Sequence, residues 1–294
     1  MRVVPPNRYY HPQDQKALDA LKAIPGFTTV LKSFMKTFSE QMLHGVNMAN
    51  KIRLGPDQMP EIYHLLPPIC EALGIEEPEL YLEMDPAPNA YTYGDTKVFI
   101  TLTSGLLEYL EEDEIKAVIA HECGHIACRH VLYHTMADMI LSGSEQFLDI
   151  GLLSLPLKLA LYYWKRCSEF SCDRAAAVYM QGSSSMVETM IRLAGGSKDL
   201  TAKINADLFL QQAKDYDTLI DESKLNKALQ YLMVMNQDHP FLAVRAHEID
   251  TWCKSDDFKT LMEYANGTDK TCPDCGALVE DGWKFCKKCG KELI

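Results

Sequence analysis

The chain has little that would seat it in a membrane or on a nucleic acid. Across its 294 residues no apolar run reaches the ~20 residues that a helical span needs. The most apolar stretch, residues 150–164 (IGLLSLPLKLALYYW), is interrupted by Pro156 and Lys158. The opening MRVVPPNRYYHPQDQ lacks the apolar segment of a secretory signal, so none is expected. Basic charge is scarce: 29 Lys and Arg stand against 41 Asp and Glu, a net charge of −12. That balance disfavours nucleic acid as a partner and offers little attraction to anionic lipid. Of ten cysteines, six (Cys70, Cys123, Cys128, Cys167, Cys172, Cys253) show no framework spacing. A disulfide-built scaffold is therefore not expected, and a reducing, cytoplasmic compartment is. No internal repeat stands out. What remains is a globular composition, 47% hydrophobic and 24% charged, long enough for a large domain plus a small module.

Apolar spacing predicts helices over most of residues 13–75, with Pro60 opening a periodic stretch through Leu73. Residues 79–103 change character. Leu80–Met84 and Lys97–Leu102 read as strands, and Ala90–Tyr93 between them as an edge strand. Leu106 to about Met139 reads as helix, and its acidic run 111–114 suits a solvated capping turn. Residues 150–164 read as a core or groove-lining helix, with an apolar lid or a membrane-surface contact as alternatives. Residues 165–235 are again helical, broken near 182–185 and at Gly195-Gly196. The domain boundaries expected are 1–263, a linker at 264–271, and a module at 272–294.

Within the helical stretch lies Ala120-His121-Glu122-Cys123-Gly124-His125. Two histidines four apart on a helix point the same way, so both imidazoles reach one zinc ion. The glutamate after the first histidine lies beside that ion, where it can take a proton from bound water. A buried pair of core histidines is the bland alternative. His130 and His134 fall about 180° from His121 and His125 on a continuous helix and read as structural or surface groups. Cys128 comes round to the metal side, either as a ligand or as a small residue that permits close packing. Cys123 points into the core. A catalytic zinc needs a third protein ligand. In Cys167-Ser168-Glu169-Phe170-Ser171-Cys172-Asp173, a helix puts Glu169 and Asp173 on one face among apolar neighbours. Glu169 can bind zinc there, and Asp173 can fix the tautomer of a ligand histidine.

With these residues the chain resembles the HtpX-like and CAAX-prenyl-endopeptidase-like zinc metallopeptidases over roughly residues 8–250. The resemblance rests on His121-Glu122-x-x-His125, Glu169-x-x-x-Asp173, His239-Pro240 followed by Arg245, and the stretch Asn89-Ala90-Tyr91. It implies a zincin-like α+β fold, mainly helical with a short antiparallel sheet. It also implies zinc on His121, His125 and Glu169, Glu122 as general base and Asp173 behind a ligand. His239 would lie near the oxyanion, Arg245 would brace the site, and Asn89, Ala90 and Tyr91 would bind substrate. The activity implied is metalloendopeptidase hydrolysis of polypeptides through a Glu-activated, zinc-bound water. Cys123 and Cys172 depart from the family, which has apolar or small residues there, and the long hydrophobic spans of its membrane-embedded members are absent.

At the C-terminus, Cys272-x-x-Cys275 and Cys286-x-x-Cys289 bracket ten residues. Four thiolates in two knuckles make a closed, structural zinc site, a ribbon too small to fold on an apolar core. From Lys270 on, five lysines face four acids, too slight an excess for nucleic-acid binding. Trp283 and Phe285 either pack on the knuckles or meet a protein partner. Two zinc ions, one catalytic and one structural, are expected. The rival readings are a silent adaptor on the same fold and a zinc hydrolase of non-peptide bonds.

Overall fold

The computed structural model describes residues 1–141, 155–221 and 241–268, and the stretch 270–293 except 271, 273, 276–278, 280 and 281. Helices α1 (Pro12–Ala23), α2 (Phe27–Thr37) and α3 (Glu40–Asn50) lead to a short strand, β1 (Ile52–Arg53). Helices α4 (Pro60–Tyr63) and α5 (Leu66–Leu73) carry the stretch that Pro60 opens. Then come β2 (Glu79–Glu83), β3 (Ala90–Tyr93) and β4 (Phe99–Thr103), followed by α6 (Ser104–Tyr109), α7 (Glu112–Ala127) and α8 (Val131–Leu141). After them lie α9 (Leu155–Met180), α10 (Ser184–Gly195), α11 (Lys198–Thr201) and α12 (Ala206–Asp221). The last two helices described are α13 (Leu242–Cys253) and α14 (Asp256–Ala265).

The strand order is β1-β2-β4-β3. β1 runs antiparallel to β2, and β3 to β4, but β2 and β4 are parallel, with Leu80 opposite Ile100 and Leu82 opposite Leu102. The sheet is thus mixed where a wholly antiparallel one was expected. The chain leaving β2 turns back once to lay down β3, so β4 again runs with β2. All five residues of β4 are buried, as in a strand covered on both faces. β3 alternates buried and half-buried and is the edge strand that the sequence suggests.

The single helix expected from 106 to 139 is three. α7 starts with a capping box: the Glu111 side chain accepts from the Glu114 backbone, and the Glu111 N–H donates to Glu114 Oε2 at 2.8 Å. Glu112 and Asp113 are exposed on the first turn, but Glu114 is buried and accepts from Arg192 Nε of α10 at 2.9 Å. The acidic run is therefore only partly a solvated turn. α7 ends in a Schellman motif. The Arg129 N–H donates to Ile126 O, the His130 N–H donates to His125 O, and Arg129 takes φ +59°. The chain reverses there into α8.

One core cluster joins the sheet to α5, α7, α9, α10, α13 and α14. A second joins α1, α2, α8 and the start of α9, around Phe27, Phe34, Leu161 and Trp164. Residues 150–154 lie outside the described residues. From Leu157 on, the stretch is core on one side: Leu157, Leu161 and Trp164 are buried, Leu159 and Tyr163 exposed. No described helix is long and apolar enough to cross a membrane. The crossing of α7 over α9 requires Gly124, whose Cβ, if present, would lie 3.0 Å from both Ala175 Cβ and Cys172 Cα.

Candidate metal centre

That close crossing sets two histidines of α7 against two carboxylates of α9. The His121 and His125 rings lie one helical turn apart, with centroids separated by 5.1 Å. His121 Nε2 is 3.4 Å from Glu169 Oε2, and His125 Nε2 is 3.4 Å from Glu169 Oε1. Both spans are long for hydrogen bonds. They match the ~3.3 Å between ligand atoms around a tetrahedral ion with bonds of ~2.0–2.1 Å. Two imidazoles and a carboxylate, all buried, are a donor set suited to zinc.

Behind these three side chains sits a charged layer. His121 Nδ1 meets Asp173 Oδ1 at 2.9 Å, which leaves Nε2 to face the metal position. Arg245 of α13 donates to both Asp173 oxygens, at 2.8 and 2.6 Å, and its Nη1 is 3.0 Å from Glu169 Oε2. Burial opposes ionising Asp173, but the Arg245 charge prevails and holds its carboxyl below the ordinary range. Burial likewise opposes charging His121, yet Asp173 and Glu169 outweigh it and lift its pKa to about 9. For His125 burial wins, and its pKa falls.

Glu122 is buried on the same helix, and its Oε2 accepts from Thr92 Oγ1 of β3 at 2.6 Å. Sequence reasoning missed Thr92. The only signal was strand alternation, which puts Thr92 on the same face as Ala90. Asn89 and Ala90 line a cavity beside His121 and Glu122 whose other walls include Leu106, Met186, Met190 and Leu242. Tyr91 faces the other side of the sheet, where its hydroxyl meets Lys51 and Glu83. His239 lies outside the described residues.

His130 and His134 are neither on the far side of a continuous helix nor on the surface. Both are buried, because the Schellman turn ends α7 and redirects the chain into α8, which packs on β3 and α9. The His134 ring lies 4.6 Å from His125, and the His130 ring 5.5 Å. Burial and the neighbouring His125 hold the His134 pKa well below its ordinary value. Cys123 packs in the core as expected, and Cys128 caps α7, its carbonyl accepting from Tyr10 Oη at 2.6 Å. The Cys172 sulfur lies within 4.8 Å of ring nitrogens of His121 and His125.

In the C-terminal module, Cys272 and Cys289 sulfurs are 3.6 Å apart, as are those of Cys275 and Cys286. All four lie within 4.8 Å of one another, close to the ~3.8 Å edge of a tetrahedral zinc–thiolate site. The Cys289 backbone N–H, with that of Lys288, pulls the Cys286 thiol down to about 6. The Lys287 ammonium covers the Trp283 ring at 3.9 Å, whereas Phe285 is exposed.

A model of peptidase family M48 matches residues 57–253, and one of a zinc-ribbon domain matches residues 269–293. The plastoglobule-localized metallopeptidase 48, chloroplastic, of Arabidopsis thaliana is 33% identical over 276 residues, covering 90% of this chain and 80% of that protein. A protease HtpX homologue of Pediococcus pentosaceus is 30% identical over 118 residues, 40% of this chain and 39% of the homologue. One from Thermococcus sibiricus is 36% identical over 89 residues, 30% of each. No solved structure matches this chain. Matched by M48 over most of its length, the chain belongs to peptidase family M48 and is a zinc metalloprotease.

Proposed function

We propose that the chain is an endopeptidase for polypeptide substrates, with His121, His125 and Glu169 holding a catalytic zinc and the four ribbon cysteines a structural one. The carrying observation is the pair of equal 3.4 Å spans from the two Nε2 atoms to the two Glu169 oxygens, with Glu122 alongside. Zinc, when bound, acidifies water and polarises a carbonyl. Glu122, held by Thr92, acts as the general base and returns the proton to the leaving amine. Asp173 holds Nδ1 of His121 and so turns Nε2 to the metal position, and Arg245 neutralises the two carboxylates and braces them. His239 is assigned to the developing oxyanion. An extended substrate pairs along β3, beside Asn89 and Ala90, and puts an apolar side chain into the cavity. The domain division at 263 and 272 stands as read from the sequence, with the ribbon recruiting protein substrates or a partner.

Ten cysteines with no disulfide among them suit a cytoplasmic setting. Exposed Leu159 and Tyr163 suit peripheral contact with a lipid surface, as does the name of the plastoglobule-localized relative.

The test is Glu122→Gln, assayed on an unfolded protein substrate with zinc measured on the same sample. The variant is expected to keep its zinc and lose hydrolysis by several orders of magnitude. Turnover near wild type would overturn the mechanism.

A further inference from the structure

A second cluster of buried ligand-type side chains lies directly behind the metal centre. One ring nitrogen from each of His125, His130 and His134 lies within 4.8 Å of the others. Their ring centroids are 4.6, 5.5 and 6.1 Å apart. Three imidazoles on one tetrahedral ion have centroids about 5 Å apart, given Zn–N bonds of ~2.0–2.1 Å. The Cys172 sulfur is 3.5 Å from His130 Nδ1.

The histidines are also oriented as ligands are. His130 Nε2 is 3.0 Å from the buried Asp14 carboxylate, and His134 Nε2 is 2.8 Å from Ser168 Oγ. A carboxylate or hydroxyl on one imidazole nitrogen fixes the ring so that the other nitrogen can bind metal. His125 turns Nε2 to Glu169, and its Nδ1 is buried with no hydrogen-bond partner among the described residues. A buried ring nitrogen without a partner is costly, and metal coordination would relieve that cost.

We propose that the chain holds a third zinc, bound by His125 Nδ1, His130 and His134, next to the catalytic one and sharing His125 with it. Three imidazole nitrogens favour zinc over magnesium or calcium. Loading this ion beside the catalytic one sends the ring N–H proton of His125 to solvent. The ion would pin the reversal between α7 and α8 and hold His125 in place from behind. The sharing of His125 rests on the catalytic reading, but the site's existence does not.

The experiment is elemental analysis of the full-length protein after zinc titration and removal of excess metal. Wild type is expected to hold three zinc ions per chain. His134→Gln and His130→Gln should each hold two, Glu169→Ala two, and Cys275→Ser two, with folding checked by circular dichroism. A wild-type count of two that His134→Gln leaves at two would overturn the third site and leave the catalytic reading standing. A count of three that Glu169→Ala leaves at three would instead sink the catalytic reading alone. The wild-type count decides even if a histidine variant fails to fold.

Discussion

The hydroxyl of Thr92 is the nearest thing in this site to a single-residue control on the reaction. It bonds the Glu122 carboxylate at 2.6 Å in a buried setting, where a hydrogen bond to a charged group is worth ~1.5–3 kcal/mol. Thr92→Val keeps the shape and removes the donor. It is expected to lower kcat roughly 10- to 100-fold with little change in KM, and Thr92→Ser to restore most of the loss. An unchanged kcat in Thr92→Val would mean that Glu122 needs no such anchor. Asp173 gives a second residue-level test. Its carboxyl is held below the ordinary range, chiefly by Arg245 acting against burial. A depressed native pKa means that the unfolded chain takes up protons first as the pH falls. The stability that Asp173 contributes is therefore full above the unfolded value of ~3.9 and is lost as the pH falls through the lower native one. Asp173→Asn should cost ~3–5 kcal/mol near neutral pH, since it strands a buried Arg245 charge. Its denaturation midpoint should also fall less steeply than wild type below about pH 5. A parallel acid dependence in both proteins would count against the pair.

Among elements, the reversal between α7 and α8 has the largest consequences. Arg129 takes the left-handed conformation at the Schellman position, where glycine is usual. For a residue with a Cβ this costs ~1–2 kcal/mol, and the Arg129 side chain is exposed and recovers little. Arg129→Gly is expected to stabilise the protein by about 1 kcal/mol, raising the melting temperature by a few degrees. A lower melting temperature would show that the arginine side chain itself holds the turn. The same residue explains what the sequence concealed. His121, Glu122, His125, Glu169 and Asp173 were legible because each group lies on one helix at a fixed spacing, so 100° per residue locates it. His130 and His134 were misplaced because the 100° rule was carried through Ala127-Cys128-Arg129, which holds neither Gly nor Pro to mark the break. Thr92 and the parallel pairing of β2 with β4 depend on how distant segments meet, which no local period encodes. Gly124 could be seen inside the motif, but its reason, the 3.0 Å approach of α9, appears only once the helices are packed.

Across the whole molecule, the proposed catalytic and ribbon zinc ions would do different things for the regions that hold them. The peptidase part has extensive apolar clusters on which to fold. The ribbon spans about 23 residues, too few to fold on apolar burial, and structural zinc in such modules supplies ~10–16 kcal/mol of apparent binding energy. The two should therefore fail separately. Cys275→Ser is expected to release one zinc and make the chain beyond residue 268 sensitive to added protease, with the main melting transition unchanged. Cleavage of a short peptide should persist, because it needs only the groove between β3 and α7. Cleavage of a full-length protein substrate should fall if the ribbon recruits it. Comparing the two substrates in one variant separates recruitment from chemistry. Equal loss on both would mean that the ribbon shapes the active site, and the boundary drawn at residues 264–271 would have to go.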